Sequence, residues 1–211
     1  ISVWSIGSPL GKVDIDVDFN EYSEVIKRVC DTANGFECDK IRMFSFFNAY
    51  DKKNKVFDYL LKMIEIANSF GVKLYHENEK EIYGDTLSRV LEIYENVNGL
   101  EYIYDPANFL QVGEKASDTI PALFDKTGYF HIKDVVEQTG ELVPAGYGDG
   151  DIKTIVQKIT KDTVLTLEPH LAIFDAYKNI DNTQLNVKFK FETNTQAFDC
   201  AVKSLKDILI D

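Results

Sequence analysis

Six short runs rich in β-branched and aromatic residues recur along the chain: VWSI (3–6), KIRMFSF (40–46), VKLYHE (72–77), EYIYD (101–105), GYFHIK (128–133) and TVLTLE (163–168). Most are apolar at consecutive rather than alternate positions. That is the pattern of strands buried on both faces, as in a parallel sheet covered by helices. Amphipathic stretches separate them. Tyr22, Val25, Ile26, Val29 and Cys30 follow helical spacing. So do Val56, Leu60, Met63, Ile64 and Ala67, and Gly71 predicts the stop of that second helix. Asp85 or Thr86 is expected to cap a helix carrying Leu87, Val90, Leu91, Tyr94 and Val97. Ile152, Ile155, Val156 and Ile159 predict another, and Ala197, Phe198, Ala201, Val202, Leu205 and Leu209 the last. A short helix is expected around Ile120–Phe124, with Pro121 near its start. LNVKFKF (185–191) alternates like a strand and reads either as an edge strand or as a loop under the last helix.

This repeating βα order predicts an α/β fold with a parallel sheet, either open and doubly wound or closed as a barrel. No linker or low-complexity stretch interrupts it, so one domain over residues 1–211 is expected, and 211 residues suffice for one sizeable core. The opening ISVWSIGSPLGK begins directly on an apolar strand, as a chain would that starts in the middle of a domain.

Composition narrows the class. No apolar run approaches the roughly 18 residues of a membrane span, and no signal peptide is read at the start. Cys30, Cys38 and Cys200 are odd in number and lack metal-ligand spacing, so they are expected to be reduced thiols in a cytoplasmic protein. The formal net charge of −12 repels phosphate backbones and argues against a nucleic-acid partner.

The candidate chemistry lies at the strand ends. In GYFHIKD (128–134), a core strand carries His131 and is followed by Lys133 and Asp134. VKLYHE ends at His76 and Glu77, EYIYD at Asp105 and TVLTLE at Glu168, with His170 just beyond. All three histidines of the chain thus fall at C-terminal strand ends, the face on which parallel β/α folds build their sites. Glu77, Asp105, His131 and Glu168 would converge from four successive strands. Three carboxylates sharing a partly buried space need a positive charge between them. Oxygen-rich coordination with a single imidazole suits Mn²⁺, Mg²⁺ or Co²⁺, and Zn²⁺ is compatible. Singly, each residue has an ordinary structural reading: Asp105 before Pro106 can start a turn, and His131 can be a hydrogen-bonded core histidine. The joint pattern is what points to a metal.

HENE (76–79), YDPANF (104–109), HIKD (131–134) and LEPH (167–170) resemble the sugar phosphate isomerase/epimerase family of xylose isomerase-like TIM barrels. The opening SIGSPLGK, the strand IRMFSFF and the Gly-rich PAGYGDGDI (144–152) are similar to it as well. The resemblance implies a (β/α)8 barrel whose metal ligands fall on Glu77, Asp105, His131 and Glu168, with Lys133 and Asp134 on the rim. If TVLTLE is the eighth strand, VWSI is the third, and the first two βα units, roughly 60 residues of a barrel of about 250, are lacking in this chain.

The chemistry implied by the resemblance is isomerisation or epimerisation beside the carbonyl of a sugar, keto-sugar or sugar phosphate, through a metal-stabilised enediolate. Glu77 and Glu168, on opposite sides of the metal, would be both ligands and acid–base groups. Lys12, Arg42, His76, Lys133 and His170 are candidates for binding substrate hydroxyls or phosphate, though each also has a purely structural reading. A keto-polyol (inosose-type) dehydratase would carry nearly the same site. An apurinic endonuclease shares the barrel but holds several zinc ions with many histidines, which three histidines and the acidic charge argue against. A non-catalytic binding protein is a further reading, opposed by the retained quartet. A carbohydrate-metabolism role follows from the preferred reading. A homo-oligomer is compatible with it, and neither nucleic acid nor membrane is an expected partner.

Overall fold

A computed structural model of the protein describes residues 1–172 and 189–210. It divides into two compact units, Ile1–Ile103 with Lys126–Gly128, and Tyr104–Asp125 with Tyr129–Asp211.

The first unit alternates β1 (Ile6–Leu10), α1 (Phe19–Gly35), β2 (Lys40–Met43), α2 (Lys53–Ser69), β3 (Lys73–Glu77) and α3 (Leu87–Asn96), and reaches β4 (Glu101–Tyr104), whose last residue belongs to the second unit. β1 to β4 pair in chain order and in parallel, with Ile41 opposite Leu74 and Glu77 opposite Ile103. Asp18 caps α1 by accepting the backbone N–H of Asn20 at 2.8 Å. The apolar stripes read from the sequence become the core: Ile26 and Cys30 of α1 and Leu60 and Met63 of α2 are buried with Ile41, Met43 and Leu74. Each such aliphatic side chain contributes about 1.5–3 kcal/mol through removal from water. Phe47 makes isolated bridges to Asp14 and Ile82, which ties together the loops that follow β1, β2 and β3.

The second unit contains α4 (Pro106–Gln111), α5 (Ala116–Leu123), β5 (Tyr129–Ile132), β6 (Asp134–Val135), β7 (Leu142–Val143), α6 (Ile152–Lys158), β8 (Leu165–Leu167) and α7 (Asn194–Ile210). β5 and β8 pair in parallel, Phe130 opposite Leu165 and Ile132 opposite Leu167. β6 and β7 form an antiparallel hairpin. Val135 and Leu142 of that hairpin are buried in one cluster with Ala107 and Leu110 of α4.

Among the described residues six strands therefore run parallel to a neighbour, as the βα order predicts, with local shifts. The first strand is Ile6–Leu10 rather than residues 3–6, because its ladder begins where Ile6 meets Ile41, and Val3 and Trp4 are 37% and 48% exposed. The short helix expected around Ile120–Phe124 is α5, which starts earlier and holds Pro121 inside its last turns. Thr86 stands at the N-cap of α3 without a side-chain cap bond, and Asp85 instead accepts from Tyr50 and Arg89. α4 and the β6–β7 hairpin were not legible, being too short for a periodic signal. Of LNVKFKF, residues 185–188 lie outside the described residues. Among the described residues no helix is long and apolar enough to cross a membrane.

Candidate metal centre

In the second unit the chain leaves β4 at Asp105, followed by Pro106 at the first position of α4. Proline needs no partner for the N–H it lacks, and the preceding aspartate caps the helix. Asp105 Oδ1 accepts the backbone N–H of Asn108 at 3.1 Å. Its Oδ2 is 2.9 Å from the ammonium of Lys133, which also donates to Asn108 Oδ1 at 2.7 Å. All three residues are buried.

β5 delivers His131, and Glu168 follows directly on β8. The parallel register sets His131 opposite Thr166, and the Glu168 N–H donates to the Ile132 carbonyl at 3.2 Å. His131 Nδ1 consequently lies 2.8 Å from Glu168 Oε2, while His170 Nε2 is 3.6 Å from Oε1. Burial pushes the Glu168 carboxyl upward. The hydrogen bonds with His131 and His170 and the charges of His131 and Lys133 outweigh that and hold it well below the usual carboxylate range.

Asp105, His131 and Glu168 each offer a ligand atom, and these atoms lie within 4.8 Å of one another. Two carboxylates and an imidazole are a donor set for a hard or borderline divalent cation. Lys133 offsets one of the two negative charges, and a dication would more than offset the other.

In the first unit, Glu77 ends β3 buried, its Oε2 3.2 Å from Arg42 Nη1. The Arg42 guanidinium also lies over the Phe44 ring. His76, one residue earlier, points to the other face of the strand. There it stacks on Tyr102 and abuts Gly84, where an added Cβ would stand 2.5 Å from the imidazole Cε1. Among the described residues neither ring nitrogen of His76 has a hydrogen-bond partner, and burial pulls its pKa down to about 4. Lys12, half-buried over Phe44, pairs with Glu79 at 2.9 Å.

The residues singled out in the sequence therefore fall into groups. Asp105, His131, Lys133, Glu168 and His170 come together in the second unit, Glu77 pairs with Arg42 in the first, Lys12 is held by Glu79, and His76 faces away from Glu77. Lys133 and Asp134, expected on the rim, are both buried. Lys133 is drawn in by Asp105 and Asn108. Asp134 is drawn in by backbone amides of Val135, Gly146, Gly148 and Gly150, at 2.8–3.0 Å. Asn108 and Glu79 carry contacts that residue-by-residue reading missed. For Asn108 the Asp–Pro start of α4 signals only the backbone cap bond, not the side-chain contact with Lys133.

Comparison with known proteins agrees with this architecture. The family model of the xylose isomerase-like TIM barrel matches residues 2–184, across both units. No curated protein matches. Similar solved structures include the IOLI protein with a bound zinc atom, 18% identical over 99% of this chain and 77% of that one, with TM-score 0.74. A D-psicose 3-epimerase crystallised in the presence of D-fructose is 13% identical over 97% and 78%, with TM-score 0.74. The probable 3-DHS dehydratase AsbF of Bacillus anthracis is 19% identical over 79% and 70%, with TM-score 0.68. At such identities the likeness concerns the fold. With the strand–helix order and the family model in agreement over most of its length, the chain belongs to the xylose isomerase-like TIM barrel family.

Proposed function

We propose that the protein is a divalent-metal-dependent isomerase or epimerase of a sugar, keto-sugar or sugar phosphate, with Glu77, Asp105, His131 and Glu168 as metal ligands. The observation that carries this reading is the grouping of Asp105, His131 and Glu168, whose ligand atoms meet within 4.8 Å although the residues come from separate stretches of chain. Glu77, which ends β3 as Asp105 follows β4, is the fourth ligand of this reading. Bound there, a divalent cation supplies Lewis-acid stabilisation of the negative charge that develops on substrate oxygens.

The chain's own groups handle the proton. Glu168, kept ionised by its imidazole neighbours, accepts the proton from the carbon next to the carbonyl, and Glu77 is the second acid–base group. The low pKa of Glu168 costs basicity but leaves the carboxylate ready at neutral pH. Lys133 pairs with Asp105 and orients it. Lys12, Arg42 and His170 are the candidate contacts to substrate oxygens. His76, turned toward Gly84, takes no part.

The test is Glu168→Gln. The amide retains a coordinating oxygen but cannot take a proton from carbon, so kcat should fall by about 10²–10⁴ while KM changes little. Keto-sugar conversion and solvent-deuterium exchange at the α-carbon, both at saturating Mn²⁺, read this out. Near wild-type exchange in the metal-saturated variant would assign the proton to another group. A product lacking the elements of water would move the reading to a dehydratase.

A further inference from the structure

The Gly-rich segment 144–151 has an unusual organiser. The buried carboxylate of Asp134 accepts four backbone N–H groups: Gly146 at 2.8 Å and Gly148 at 3.0 Å on Oδ2, Gly150 at 2.9 Å and Val135 at 2.9 Å on Oδ1. Alternate amides of the loop converge on one carboxylate, much as the amides of an anion-binding nest converge on an anion. Here the anion is built in, so these amides are not offered to a ligand. The glycines are required for the approach: a Cβ on Gly148 would stand 2.4 Å from Asp134 Oδ1, and one on Gly150 2.8 Å from the same atom. The loop is also tied to the hairpin, Asp149 N–H to the Val135 carbonyl at 2.9 Å and Glu137 N–H to Asp149 Oδ2 at 2.8 Å.

The position of this loop gives the arrangement its meaning. Gly150 lies against Pro106, at a spacing where an added Cβ would meet the proline Cβ at 3.4 Å. Pro106 follows Asp105 directly. The residue before Asp134 is Lys133, whose ammonium holds Asp105 and Asn108 at 2.9 and 2.7 Å. The dipeptide Lys133–Asp134 therefore reaches in two directions, the lysine to the Asp105–Asn108 corner and the aspartate to the loop packed beside that corner. Removing either anchor should loosen the other, because the two share one peptide unit.

We propose that Asp134 is a positioning residue that fixes the 144–151 loop as a wall of the substrate site beside Asp105. This rests on the reading of the site above. Its substrate contact is made by the loop, and Asp134 itself binds backbone amides of the loop and of Val135.

Asp134→Asn tests it. The amide nitrogen cannot accept the two N–H groups that now converge on one carboxylate oxygen. Bonds to a charged acceptor are stronger than neutral ones, so amide hydrogen exchange in peptides covering 144–151 should accelerate at least about tenfold in metal-free protein, with α1, α2 and β2 unchanged. With a keto-sugar substrate, KM should rise about tenfold while kcat changes less than about threefold. Gly148→Ala should reproduce both effects with Asp134 intact, which keeps the test usable if the first variant does not fold. Unchanged exchange in the loop would overturn the proposal, as would a released loop with unchanged KM, which would make Asp134 merely structural. If the wild-type protein turns over no keto-sugar, the reading of the reaction fails, and accelerated exchange in both variants would still support Asp134 as the organiser of the loop.

Discussion

The C-terminal ends of β3 and β5 look alike in sequence and are unlike in chemistry. Each carries a histidine among apolar residues, and each histidine is buried. His131 meets a carboxylate at 2.8 Å and belongs to a group of metal-compatible donors. His76 has no hydrogen-bond partner among the described residues and is closed in by Tyr102 and Gly84. The distinction is strand parity. His76 precedes Glu77, so the two side chains leave opposite faces of β3. His131 sits on the face of β5 that β8 completes with Glu168. Residue type and strand position nominate a site histidine, and the face it leaves decides whether it serves.

Three measurements can break or sharpen this contrast. The largest effect should come from the β5 side. Lys133→Met leaves the buried Asp105 carboxylate without its ammonium, which should cost about 3–5 kcal/mol in the metal-free protein. Urea unfolding in the presence of a chelator measures it. Saturating Mn²⁺ should restore part of the loss, because a bound cation replaces the missing charge. No recovery would argue against Asp105 as a ligand.

The β3 side should respond to pH instead. The His76 pKa is pulled to about 4 in the folded protein, against about 6.5 when unfolded. Above pH 6.5 both states are neutral and this group costs nothing. As pH falls below 6.5 the unfolded chain binds a proton that the folded one refuses, so stability drops until about pH 4. The drop attributable to His76 is up to about 3 kcal/mol. His76→Leu should remove that component while leaving keto-sugar turnover unchanged, and at pH 7.5 it should shift stability by less than about 1.5 kcal/mol. A variant that loses activity with its fold intact would return His76 to the site.

The smallest effect concerns the packing that seals His76. Gly84→Ala would force a Cβ to 2.5 Å from the imidazole. Overpacking of this kind costs about 1–3 kcal/mol. In a His76→Ala background the cost should fall, giving a coupling of about 0.5–3 kcal/mol in a double-mutant cycle. Additive effects would mean that Gly84 makes room for something other than the imidazole.

Much of the fold was legible because strand and helix signals are local. Consecutive apolar runs and 3.6-residue stripes marked β2, β3, β4, β5, α1 and α2 within a few residues. β1 slipped because its extent depends on where β2 offers partners. The hairpin and α4 escaped because two- and six-residue elements carry no period. At the candidate site, the donors Asp105, His131 and Glu168 were legible from their recurrence at strand ends. The roles of Lys133, Asp134 and His76 were not, since each depends on a partner distant in sequence: Asp105, the glycine amides and Gly84.

The sequence by itself determined the order of strands and helices, the placement of acidic and imidazole groups at strand ends, and the family. All of these are carried by contiguous residues and their spacing. Only the tertiary structure decided that Lys133 serves Asp105, that Asp134 fills the nest of a glycine loop, and that His76 is sealed against Gly84. Those assignments turn on which face a side chain leaves and which remote group meets it there, and in a buried site the nearest partner sets both the charge and the orientation of an ionisable group.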